Sequence, residues 1–243
     1  MAYNLSYKPY GERAIFIEWP AIIDEEILRD VLSFKHKIEK LNIKSLLEIR
    51  QSYNSLLVVY GFVEINFKAE IETINKIYSK SESAISLDLM QWTIPVCYEE
   101  EFGIDLEELS GLKNVTKSQI IEWHSQSIYT VYFIGFLPGF LYLGGLDKRL
   151  HTPRKSTPRL QIRKGSVAIG GSQTGIYPMA SPGGWNVIGN TPVTLFDATK
   201  QSPCFVKPGD KVRFKPVSLD EYKSIKILVE AGVYQIESEV IRD

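Results

Sequence analysis

The chain has 243 residues, 44% hydrophobic and 23% charged, with a formal net charge of -1. That length accommodates one large or two modest domains of ordinary globular composition. The near-neutral balance argues against a nucleic-acid partner, which calls for a basic excess, and Cys97 and Cys204, in unrelated segments, form neither a disulfide framework nor a zinc pair.

Residues 5–11 (LSYKPYG) and 14–19 (AIFIEW) read as two strands rich in aromatic and β-branched residues. Asp24 then caps a helix whose Ile27, Leu28, Val31, Phe34 and Ile38 share one face. Two more strands flank a turn near Asn54, and residues 65–80 return to a helical period through Ile71, Ile74 and Ile77. This order predicts a small α+β layer over residues 1–88, closed by the polar boundary segment KSESAISLD at 80–88.

Beyond it, WTIPVCY is a strand, Asp105 caps a short helix, and Thr116 with Gln119 forms a capping box for a second. After Tyr129 helical periodicity is scarce, and apolar runs alternate with LPG, KGS, SPGG and KPGD turns. Residues 89–243 are therefore expected to form a compact β-barrel or sandwich. The apolar stretch 131–146 is shorter than the roughly 20 residues of a membrane span and is broken by Pro138 and four glycines. With no signal-peptide pattern at the N-terminus, a soluble cytoplasmic protein without a membrane partner is expected.

Between Asp147 and Asp197 no acidic residue occurs, while Lys148, Arg149, Arg154, Lys155, Arg159, Arg163 and Lys164 accumulate. Arginine forks suit carboxylate or phosphate oxygens. Arg154 and Arg159 each follow a proline, which stiffens the chain. The segment GGSQTGIYPMASPGGWNVIG, residues 170–189, then holds six of the seventeen glycines and no charge. Such backbone can form an anion-binding nest. Two readings stay open: a small-anion site, or a solvated basic face paired with acids from elsewhere. His124 is either a helix-terminal cation or an acid–base group, and Tyr177 and Trp185 either flank a ligand or fill core. No P-loop, nucleophile elbow or metal-ligand cluster is present in the sequence, so no metal is expected.

From about residue 92 to 215, G-F-x-P-G-F-x-Y-L-G-G-L-D, the paired P-R, Q-T-G-I-Y-P and S-P-G-G-W closely resemble the KipI family. Its members are also called PxpB, the B subunit of ATP-dependent 5-oxoprolinase, or allophanate hydrolase subunit 1. The resemblance implies a cyclophilin-like C-terminal barrel and ATP bound by a multi-subunit complex. It also implies two partners, a KipA-like protein (the C subunit) and a LamB/YcsF-like protein (the A subunit). The implied reaction opens 5-oxo-L-proline to L-glutamate. Inhibition of a sensor histidine kinase and the carboxyltransferase half of urea carboxylase are the family's other roles. Carried over as candidate catalytic residues are His124, Arg154 and Arg159. Gln173, Thr174, Tyr177, Ser181, Gly183, Gly184 and Trp185 are carried over as binding residues for a small anionic substrate. Two departures stand out: Ile162–Arg163–Lys164 where V-P-A is common, and Asn190 in place of an arginine.

Overall fold

A computed structural model describes residues 3–61, 65–80 and 88–241. The chain divides into two compact units, Met1–Leu87 and Asp88–Arg242. The polar segment expected to mark the boundary lies, at 81–87, outside the described residues.

In the first unit, β1 (Ser6–Tyr10), β2 (Ala14–Glu18), β3 (Leu46–Gln51) and β4 (Ser55–Tyr60) form an antiparallel sheet in the order β1-β2-β4-β3. Helix α1 (Glu25–Lys40) starts where Asp24 Oδ1 accepts the amide protons of Glu26 and Ile27, satisfying donors that a helix start leaves free. Its apolar face packs with α2 (Phe67–Ser79) against Ile15, Ile17, Leu56 and Val58 of the sheet. Ile74 and Ile77 of α2 are buried, whereas Ile71 is only partly covered.

Among the described residues, the second unit holds a mixed eight-stranded sheet, three α-helices and a short 3-10 turn at Lys148–Leu150. Its strands are β5 (Leu89–Val96), β6 (Ile128–Ile134), β7 (Leu141–Gly144), β9 (Ser166–Gly170), β10 (Gln173–Ile176), β12 (Asn186–Asn190), β13 (Lys211–Pro216) and β14 (Glu237–Ile241). They run in the order β12-β9-β10-β7-β6-β13-β5-β14, parallel only between β13 and β5. A separate two-stranded antiparallel pair joins β8 (Arg159–Ile162) to β11 (Ser181–Gly183). Helices α3 (Leu106–Lys113) and α4 (Lys117–Gln126) pack on the core through Leu106, Leu109 and Ile120.

The expected barrel is corrected in one respect. The sheet curls, but β14 lies outside β5 at one edge, and β12 at the other edge reaches only Cys97, just past β5, at an isolated bridge. There Cys97 and Asn190 exchange two backbone hydrogen bonds of 2.9 Å. The continuous ladder of a closed barrel is replaced by a seam. A second correction is α5 (Leu219–Glu230), a helix where the sequence shows little helical period. Ser218 and Glu221 cap it reciprocally, and among its side chains only Tyr222 is buried, so its apolar stripe is too thin to register as a period.

Candidate functional site

The uncharged glycine stretch packs around one indole. Trp185 is 4% exposed, and a Cβ built on Gly170 would stand 2.5 Å from its ring, one on Gly175 3.1 Å. Gly183 likewise leaves room for the Tyr177 phenol and Ile162, and Gly171 takes the β9–β10 turn at φ +66. Most of these glycines therefore serve the protein's own core. Gly184 is different: a Cβ there meets nothing closer than 3.4 Å.

Over this packed floor opens a cleft of about 190 Å³ lined by Phe136, Phe140, Tyr142, Arg154, Tyr177 and Trp185, with Lys155, Pro158, Gly183 and Gly184 in its wall. The Arg154 guanidinium sits 5.4 Å from the Trp185 ring centroid, a cation–π contact that leaves its donors available. Among the described residues no carboxylate lies within ion-pair distance of Arg154. Phe136, 65% exposed, holds φ +68 at the rim, an uncommon conformation for a bulky residue. Burial raises the Tyr177 hydroxyl above its ordinary pKa, against a backbone hydrogen bond from Trp185 that lowers it. The phenol is therefore neutral at pH 7. Of the predicted site residues, the structure thus gathers Arg154, Tyr177, Gly183, Gly184 and Trp185.

Arg159 has another task. Its Nη1 and Nη2 donate to Asp105 Oδ2 and Oδ1 at 2.9 and 2.6 Å. The same carboxylate, 1% exposed, accepts the Val187 amide proton at 2.6 Å and lies 3.1 Å from Lys155 Nζ. Asp105 does stand at the start of α3, yet its side chain makes no cap bond there. It instead ties β12, β8 and the Lys155 loop together. Lys155 also donates through its backbone N–H to the Gly184 carbonyl at 2.7 Å. The basic interval is therefore partly paired with acids from another segment, and Arg159 is a buried-pair residue, not a free anion clamp.

His124 and Thr174 are corrected too. Both are 0% exposed. The Thr174 hydroxyl donates to the Ala168 carbonyl at 3.0 Å, so it must accept from His124 Nε2 at 2.9 Å. That leaves Nδ1 to accept the Tyr98 hydroxyl at 2.8 Å. With the ring stacked on Phe214 at 4.6 Å, burial pushes the imidazole pKa down to about 3. This is a neutral core histidine with no route to a ligand. Gln173 opens β10 half-buried, and Ser181 donates to the Pro182 carbonyl at 3.2 Å; neither lines the cleft. Asn190, where the family pattern has arginine, is also core: its amide donates to the Lys164 carbonyl and accepts from Tyr222.

Sequence reasoning misses Phe136, Phe140 and Tyr142, places Lys155 only within the basic interval, and reads Asp105 as a helix cap and not as the partner of Arg159. The aromatic–glycine run at 131–146 holds the signal for all three aromatics, but taken alone it reads as strand and turn. Among the described residues no group of three or more His, Cys, Asp or Glu is placed to hold a metal. Among them, too, no helix is long and apolar enough to cross a membrane.

Residues 5–206 match the family described as carboxyltransferase domain, subdomain C and D. The chain is 34% identical to the 5-oxoprolinase B subunit of Bacillus subtilis (strain 168), over 93% of this chain and 98% of that protein. It is 40% identical to the 5-oxoprolinase B subunit of Escherichia coli O157:H7, over 85% and 93% respectively. The chain belongs to the family of 5-oxoprolinase B subunits. A solved relative, TTHA0988, superposes with a TM-score of 0.74 at 30% identity over 85% of this chain, which spans only 40% of that longer polypeptide.

Proposed function

We propose that the chain is the B subunit of an ATP-dependent 5-oxoprolinase, acting in the cytoplasm with a LamB/YcsF-like and a KipA-like partner. The observation that carries this is near-full-length identity of 34–40% to bacterial proteins of that name. The curled sheet unit would be the cyclophilin-like half of the family's fold. An unstrained lactam resists hydrolysis, and ATP supplies the drive when bound to the complex. The role of this chain's own residues is positioning and electrostatic stabilisation. Arg154 holds the substrate carboxylate, the aromatic lining takes the ring and excludes water, and the Gly183–Gly184 backbone lets the ligand lie close. The cleft lining includes no imidazole, carboxylate or thiol to serve as base or nucleophile. Catalysis then needs groups from the partners, and the chain alone is inactive. That the similar TTHA0988 chain is much longer agrees with a unit built to work joined to another polypeptide.

A second reading, the carboxyltransferase half of a biotin-dependent enzyme, is favoured by the description of the matching family. The two separate in one assay, the release of glutamate from 5-oxoproline and ATP by this chain combined with its LamB/YcsF-like and KipA-like partner candidates. Release that stops when this chain is omitted supports the first reading. A complex that forms but releases no glutamate, and instead transfers carboxyl groups from carboxybiotin, establishes the second.

A further inference from the structure

The cleft at Arg154 has both a charge and a size, and we infer that it takes a compact monoanion and not the nucleotide of the same reaction. The identity of the monoanion as 5-oxoproline rests on the function proposed above; the charge and size arguments stand apart from it.

Of three cations close in sequence, Arg154, Lys155 and Arg159, the last two pair with two carboxylates, Asp105 and Glu108. Lys155 Nζ lies 3.1 Å from Asp105 and 2.7 Å from Glu108, and Arg159 grips Asp105 through both nitrogens. One positive charge is left over, and it resides on Arg154, the exposed guanidinium in the cleft wall. A single ligand carboxylate neutralises it. A triphosphate would bring further negative charges that only Lys155, already paired with Asp105 and Glu108, is in the cleft to meet.

Size leads to the same result. A volume of about 190 Å³ falls below the roughly 300–1,000 Å³ typical of pockets for drug-sized ligands, yet suits a five-membered ring bearing a carboxylate. Two roomier cavities in this unit, of about 360 and 400 Å³, have the wrong charge for a polyphosphate. In one, Glu99 and Glu100 face Lys117; in the other, Asp220, Glu221 and Glu237 face Lys215. Among the described residues, those lining these three cavities thus do not fit ATP.

Calorimetric titration of the full-length chain with sodium 5-oxoproline, ATP and inorganic phosphate tests the inference. 5-Oxoproline is expected to bind, ATP neither to bind the cleft nor to displace it, and Arg154→Gln to weaken 5-oxoproline at least about tenfold. Removing the exposed carboxylate with Glu108→Gln raises the surplus to two charges. The affinity ratio of hydrogen phosphate to 5-oxoproline should then rise several-fold. ATP that displaces 5-oxoproline from the wild type and loses affinity in Arg154→Gln overturns the inference, as does an unchanged ratio in Glu108→Gln. If 5-oxoproline fails to bind but pyrrole-2-carboxylate binds through Arg154, the monoanion site stands and the assigned substrate falls. If neither binds, the site itself is refuted.

Discussion

Trp185 and the glycines around it show how a single side chain can account for an odd composition. Because a methyl group at Gly170 would stand 2.5 Å from the indole, Gly170→Ala should cost about 1–3 kcal/mol in denaturant unfolding, the range for overpacking a tight core. Gly184→Ala, with its nearest neighbour at 3.4 Å, should unfold within about 0.5 kcal/mol of wild type. His124 yields a second residue-scale prediction, with a definite sign. Its folded pKa is about 3, while an unfolded histidine titrates near 6.5. Between those values the unfolded chain binds more protons, so stability falls as pH drops below about 6.5. From pH 6.5 to pH 5 this group alone should remove about 2 kcal/mol, and His124→Gln should flatten that part of the profile. A urea series at several pH values reads both. The sequence places His124 near the end of a helix, but nothing local reveals that Tyr98 and Thr174, 26 and 50 residues away, enclose it.

At the scale of elements, local signals are legible and long-range ones are not. The Asp24 cap, the Thr116–Gln119 box and the buried face of α1 involve residues a few positions apart, and all form as their spacing predicts. Asp105 carries the same local signature, yet its carboxylate turns to Arg159, 54 residues on, and to Val187, 82 residues on. Spacing along the chain cannot show such a choice. Helix α5 escapes notice because one buried tyrosine makes no stripe, and the seam between Cys97 and Asn190 depends on strand order that short-range patterns do not encode. Arg154 and Arg159 look equivalent in TPRKSTPRL and diverge only because Asp105 reaches one of them. Asp105→Ala should accordingly lower stability by about 3–5 kcal/mol, since it strands Arg159 and Lys155 without their buried counter-charge. Asp105→Asn combined with Arg159→Gln should recover a large part of the loss, and a double-mutant cycle by chemical denaturation measures the coupling.

For the molecule as a whole, the two units are each compact, and the second unit holds a ligand-sized cleft without a catalytic set. That combination fits a subunit that positions a substrate for chemistry completed by others. In the proposed function Arg154, and not Arg159, meets the substrate. The most direct test is steady-state kinetics of the reconstituted complex with Arg154→Gln or Arg159→Gln in this chain, each variant's unfolding midpoint being measured alongside. Arg154→Gln is expected to raise KM for 5-oxoproline at least about tenfold with an unchanged midpoint, while Arg159→Gln lowers the midpoint. A wild-type KM in Arg154→Gln, or a raised KM in Arg159→Gln with an unchanged midpoint, would contradict the account.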